Sequence, residues 1–166
     1  MNIGDKVVYP MHGAGEITGV EENEVGGVVS SYYIFRLPMG SLKLMLPVDK
    51  VDEVGLRELI SPAQVEQVVE ILKAETEQIQ GSWNKRFQTN LERLKTGNIL
   101  DAASVARNLS RQNNKKKISS GERRLLDLSR QILISELVYV CGKTPEEITA
   151  WVDELIASGD LVVSAE

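Results

Sequence analysis

The spacing of the apolar residues changes once along the chain, near residue 60, and that change restricts the fold more than any other feature. Up to it the pattern is strand-like. Lys6-Val7-Val8-Tyr9 is a short apolar strand stopped by Pro10, and Glu16-Ile17-Thr18-Gly19-Val20 alternates with a period of two. Val25-Gly26-Gly27-Val28 reads as a hairpin, because tight hairpin turns need the positive φ that glycine supplies. Ser31 to Leu37 is aromatic and β-branched, Met39-Gly40 turns the chain, and Leu42, Leu44 and Leu46 alternate with Lys43 and Met45 up to Pro47. A last short strand is expected over Val51 to Val54. Five short strands this close together predict a small, strongly bent antiparallel sheet or partial barrel over residues 1–56.

Beyond Ser61-Pro62, a helix start with serine as N-cap and proline at the first helical position, the period is helical. Val65, Val68, Val69 and Leu72 make one stripe; Trp83, Phe87, Leu91 and Leu94 make a second, closed by Gly97. A third helix is predicted from about Asn98 to Arg111, followed by a polar connection, Gln112 to Lys117. Ser119-Ser120-Gly121-Glu122 then has the S-x-x-E spacing of a capping box and opens a helix to about Val140. Thr144-Pro145-Glu146-Glu147 starts a fifth, with Ile148, Trp151, Val152 and Leu155 inward. The tail after Gly159 is expected to be loose. The fold class is therefore α+β, a β domain at 1–56 and an all-α domain of about five helices at 61–160.

Composition removes most kinds of chemistry. Cys141 is the only cysteine and His12 the only histidine, so disulfides, cysteine-rich zinc sites and a histidine-activated nucleophile have no material to work with. Gly13-Ala14-Gly15 lacks the third glycine of a dinucleotide fingerprint. Glu21-Glu22, Asp52-Glu53 and Glu146-Glu147 read as turn and helix-start charges rather than acid/base pairs. We expect no enzyme, no cofactor and no metal. No run approaches the ~18 apolar residues of a membrane span, and the start lacks a basic-then-apolar leader, so the expected compartment is the cytoplasm.

Charge is what remains to be explained. The net charge is −5, but residues 81–130 hold twelve Lys/Arg against four Asp/Glu, whereas residues 1–80 hold six against thirteen and residues 131–166 one against seven. With a screening length of about 8 Å at physiological salt, acidic ends need not cancel a basic block elsewhere on the surface. Within the block, Trp83 is followed by Lys85 and Arg86 at a helix start, and Arg86 and Arg93 lie off the apolar stripe. Lys115, Lys116 and Lys117 come from the connection before the fourth helix, and Arg123 and Arg124 from its first turn. Cations there oppose the helix dipole, so an external anion explains them better than local stability does. Spacing alone leaves Trp83 with two readings. It is core, as the first member of its stripe, or it projects past the packed face to wedge against base steps. The absence of an Asn/Gln-rich reading helix points to contacts with the backbone and shape of the nucleic acid. The strand Leu42-Lys43-Leu44-Met45-Leu46 is either covered by the chain's own helix or open to pairing with another protein. A protein-interaction adaptor, docking the basic face on an acidic partner without DNA, is the alternative function.

Three stretches carry a resemblance. They are Gly4-Asp5-Lys6-Val7-Val8-Tyr9-Pro10 with His12-Gly13; Trp83-Asn84-Lys85-Arg86-Phe87 leading into Asn90-Leu91-Glu92-Arg93-Leu94; and Ser120-Gly121-Glu122-Arg123-Arg124-Leu125-Leu126 leading into Arg130-Gln131-Ile132-Leu133. In this order, behind a β domain, they resemble the CarD (CdnL-like) family of bacterial transcription regulators. The first part is also similar to the polymerase-interacting module of the transcription-repair coupling factor. The resemblance implies a Tudor-like first domain that binds the β subunit of RNA polymerase through a sheet edge, by position Leu42 to Leu46. It implies a helical domain on promoter DNA at the upstream edge of the bubble. There the family's tryptophan, matched by Trp83, wedges into the minor groove and stabilises the open complex, with Lys85, Arg86 and Arg123 facing the DNA backbone. The chain departs from many relatives at Gln88, where they carry a cation, and from some at Asn23 and Met45, where they carry arginines. A monomer is expected, with a strand-swapped dimer as the alternative.

Overall fold

The computed structural model describes residues 1–164 of the 166. The β part is a four-stranded antiparallel meander in the order β1-β2-β3-β4, with β1 Lys6–Tyr9, β2 Gly13–Val25, β3 Val28–Arg36 and β4 Lys43–Pro47. The expected fifth strand at Val51 to Val54 does not form. The chain leaves β4 through a 3-10 turn, Val48–Lys50, and further turns, and then returns as a single bridge between Val8 and Arg57. Asp52 and Glu53 in that short stretch favour turn over strand. β2 and β3 are much longer than their neighbours and are joined by Gly26-Gly27, both at positive φ (60° and 80°), as the hairpin requires. A register shift between Ile17 and Gly19 bends the pair, and Ile17, Phe35 and Leu37 form a buried cluster in the sheet.

Five helices follow: α1 Val65–Lys73, α2 Trp83–Lys95, α3 Ile99–Lys115, α4 Ser120–Cys141 and α5 Pro145–Ser164. Ser61 and Gln64 form the capping box ahead of α1. Ser82, Asn98 and Ser119 cap α2, α3 and α4 with their side-chain oxygens, and Gly142 ends α4 in the left-handed conformation. Two expectations need correction. α3 continues past Arg111 to Lys115, so Lys115 is its last residue rather than part of a connection. α5 runs through Gly159 to Ser164, where a loose tail was expected, and residues 165–166 lie outside the described part.

α3 and α4 are the spine of the helical part. One apolar cluster joins them to α1 and α5 through Leu72, Ala106, Leu137 and Val152; another joins them to α2 through Leu94, Leu109, Leu126 and Ile132. The sheet is bolted to α4 by polar contacts. Ala14 N–H donates to Ser135 Oγ at 2.8 Å, and Gln131 Nε2 donates to His12 O at 2.8 Å. Gly13, at φ 121°, sits so close to α4 that a Cβ there would lie 2.5 Å from Ser135 Oγ. Arg57 makes a two-pronged ion pair with the fully buried Glu136, at 2.9 and 2.6 Å, and the same carboxylate accepts from Ile60 N–H at 2.8 Å. The segment linking sheet and helices is thereby pinned to the middle of α4.

Candidate nucleic-acid interface

Trp83 is the first residue of α2, and it is 41% exposed although it belongs to the apolar stripe of that helix. Its exposure follows from its place one turn beyond Phe87, where the covering helix α4 has only just begun. The indole stacks on Phe87 with ring centroids 5.1 Å apart and planes 20° from parallel. Its Nε1–H donates to Glu122 Oε1 at 3.1 Å. On the α4 side the indole abuts Gly121, where a Cβ would come within 3.6 Å of the ring and 3.3 Å of Phe87. The side chain is therefore exposed on one side and held on the other.

Glu122 organises this corner. It is buried, and its carboxylate accepts from Trp83, from Ser119 Oγ at 3.1 Å and from Gln112 Nε2 at 3.3 Å. The S-x-x-E spacing identifies it as a capping residue; the bond to Trp83 depends on α2 and α4 starting side by side, which spacing does not reveal. Two helix N-termini, each the positive end of a dipole, consequently meet at one place.

The predicted cations divide into three groups. Lys85 and Arg86 lie in the first turn of α2; Arg86 donates to Gly81 O at 2.7 Å. Arg123 and Arg124 lie exposed in the first turn of α4, Arg123 beside Asp127 at 3.4 Å. Lys115, Lys116 and Lys117 are exposed at the end of α3 and just after it, leading into α4. Arg93 is different. Its guanidinium holds Glu77 with two bonds, 3.1 and 2.9 Å, and Arg107 binds the same carboxylate at 3.0 Å. The hydrogen bond from Arg93, aided by the charges of both arginines, keeps the Glu77 carboxyl below its ordinary range against the opposing effect of burial.

Two cations of the basic block point inward, which charge counting missed. Arg107 donates to Ile71 O at 2.9 Å, and Arg111 to Leu72 O at 3.2 Å and Ala74 O at 2.6 Å. Both are buried and cap the carbonyl end of α1. An arginine one helical turn from another, on the α3 face that carries Ala103 and Ala106, is the sequence signal that was available.

On the sheet, β4 is an outer strand, hydrogen-bonded only to β3. Leu46 is buried and Leu44 half-buried, while Leu42 and Met45 are 44% and 39% exposed. Lys43 reaches Glu21 at 3.3 Å. Cys141 sits at the end of α4, and burial pushes its thiol above the usual value, the reverse of an activated nucleophile. Among the described residues no group of three or more His, Cys, Asp or Glu side chains is arranged to hold a metal ion, and no helix is long and apolar enough to cross a membrane.

Comparison with known proteins matches both halves of this arrangement. The model of the CarD C-terminal domain fits residues 67–153, and the model of the CarD-like/TRCF RID domain fits residues 1–60. The chain belongs to the CarD family. YdeB of Bacillus subtilis (strain 168), a protein named as a transcription factor, is 32% identical over 149 residues, covering 90% of this chain and 97% of YdeB. The transcription-repair-coupling factor of Staphylococcus haemolyticus (strain JCSC1435) is 43% identical over 54 residues, 32% of this chain but 4% of that protein. The resemblance drawn from the three motifs is thus correct, and so are the fold class and the Tudor-like character of the sheet. Membership places the chain in a transcription-factor family related to the RID domain of the coupling factor.

Proposed function

We propose that this CarD-family chain binds the β subunit of RNA polymerase along the β4 edge, Leu42 to Leu46, and applies the Trp83 corner to promoter DNA at the upstream edge of the bubble. The observation that carries the reading is the half-exposed indole of Trp83, clamped by Phe87 and Glu122 between two helix starts. A side chain meant for the core would be covered; one meant to wedge between base steps must be exposed and already oriented. Lys85, Arg86, Arg123 and Arg124 supply phosphate contacts around it, with Lys115, Lys116 and Lys117 alongside. Arg93 is assigned a lesser share, because Glu77 already occupies its guanidinium. Weak DNA affinity suffices, since docking on polymerase raises the effective concentration at the promoter. The sheet edge offers main-chain groups for strand addition, and Leu42 and Met45 give that contact side-chain area.

The test is the lifetime of a promoter–polymerase open complex with wild-type protein, with Trp83→Ala and with a Leu42→Glu/Met45→Glu double variant. The wild type should lengthen the lifetime. Trp83→Ala should stay bound to polymerase and lose the effect, and the edge variant should lose polymerase binding as well. A lifetime unchanged by Trp83→Ala defeats the wedge. Polymerase binding that survives the edge variant defeats the β4 assignment.

A further inference from the structure

Behind the Trp83 corner lies a cavity of about 380 Å³, walled by the segment between α1 and α2 and by α2, α3 and the start of α4. Its lining includes two asparagines that the rest of the structure leaves incomplete. Asn90 on α2 is 4% exposed and Asn108 on α3 is 7% exposed. Among the described residues, the Oδ1 atom of Asn90 accepts no hydrogen bond and the Nδ2 atom of Asn108 donates none. The orientation of Asn108 is fixed, because its Oδ1 already accepts from Arg107 Nε at 3.0 Å and Glu77 N–H at 3.2 Å. A buried polar atom without a partner costs on the order of 1–3 kcal/mol, so an unmatched acceptor and an unmatched donor in the wall of one cavity call for something that supplies the complement.

The other walls narrow the chemistry. Glu77 and Glu122 are the carboxylates lining the cavity, and both are already engaged: Glu77 by two arginines, Glu122 by three donors. Arg86 also lines it, and among the described residues its guanidinium makes one bond, to a backbone carbonyl, and no ion pair. A planar group with donor and acceptor side by side, joined to an anion, satisfies all three. That is a nucleobase carrying a phosphate: an asparagine amide offers the donor and acceptor that base edges pair with, arginine takes the phosphate, and the volume is within the usual range for small-ligand sites.

We propose that this cavity binds a single nucleotide, its base edge on Asn90 and Asn108 and its phosphate on Arg86. The nucleotide is either a free mononucleotide or an unpaired residue of a DNA single strand. Only the second source depends on the DNA reading given above.

The test uses the full chain, with backbone and side-chain amide resonances followed by NMR. The probes are AMP, GMP, CMP and TMP, a six-residue single strand of mixed sequence, and inorganic phosphate. Saturable shifts of the Asn90 and Asn108 side-chain amides with a mononucleotide support the site and its free-ligand source. The same shifts with the single strand alone support the site and its DNA source. Asn90→Leu, a change of similar volume that removes the unmatched acceptor, should weaken binding roughly tenfold or more and leave the melting temperature equal to or above the wild type's. Absence of shifts with every probe means that the cavity holds water alone, and overturns the proposal. Equal shifts with inorganic phosphate overturn it too, as an adventitious ion only, and so does Asn90→Leu binding as tightly as wild type. The Trp83→Ala lifetime measurement does not involve this cavity's ligand in its free form, so failure here leaves the wedge reading to stand or fall separately.

Discussion

Trp83 Nε1 and Glu122 Oε1 are 3.1 Å apart, joining the first residue of α2 to the buried third residue of α4. This bond fixes which way the exposed indole faces. Glu122→Gln keeps the shape but replaces a carboxylate accepting three hydrogen bonds by an amide with one acceptor oxygen. We expect a stability loss of about 1–3 kcal/mol from hydrogen bonds to a charged group. The Trp83 indole N–H should shift and exchange faster with solvent, while that of Trp151 stays put. The effect on open-complex lifetime should fall with the indole ordering. An unchanged Trp83 indole resonance contradicts the clamp.

Trp83→Ala itself should be mild for the fold. Truncating a fully buried aromatic costs about 3–5 kcal/mol, but this one is 41% exposed. Urea denaturation should show a loss of roughly 1–2 kcal/mol, in proportion to the part that is covered. A loss in the fully buried range identifies Trp83 as core after all.

The pair formed by Arg57 and Glu136 should matter far more. Glu136 has no exposed surface, so Arg57→Ala leaves its charge buried with, among the described residues, the Ile60 N–H as its remaining donor. Removing one partner of such a pair typically costs about 3–5 kcal/mol. Chemical denaturation of Arg57→Ala should show this cost and an earlier loosening of the sheet from α4. An Arg57→Met/Glu136→Leu double variant should recover much of it, since the isolated charge is then gone.

His12 gives a pH dependence that can be read on one resonance, because it is the only histidine. It stacks edge-on against Tyr9 with centroids 4.5 Å apart, and its burial lowers its pKa from the ordinary 6.5. For a base depressed in the folded state, the unfolded chain takes up the proton first as pH falls. Its stabilising contribution is therefore complete above pH 6.5 and is lost as pH drops from there through the folded value. NMR titration should place the folded His12 below 6.5, and His12→Gln should flatten the slope of stability against pH in that window. A folded pKa at or above 6.5 contradicts this.

Much of this molecule can be read along the chain. The change of period separates sheet from helices because side chains of a strand repeat every two residues and those of a helix every 3.6. Serines at 61 and 119 mark where helices begin because their oxygens satisfy orphan N–H groups locally, whereas the caps at Ser82 and Asn98 came to light only in the structure. The error at Val51 to Val54 has the same local origin: two valines in a four-residue stretch suggest a strand, but among the described residues no strand pairs with them.

What the chain alone could not settle is where its charges and its exposed aromatic end up. The twelve cations of residues 81–130 look alike in sequence, yet the fold turns Arg107 and Arg111 inward to cap α1, gives Arg93 to Glu77 and Arg130 to Asp153, and leaves Lys85, Lys116, Lys117 and Arg124 outside. Trp83 sits on an apolar stripe whichever way the helices pack. The sequence by itself determined the change from strands to helices, the helix starts at Ser61 and Ser119 and the family, because those depend on neighbours a few residues apart. Only the tertiary structure decided which cations face solvent and that Trp83 stands clear, because that depends on α2 and α4 starting side by side, thirty-nine residues apart at Trp83 and Glu122.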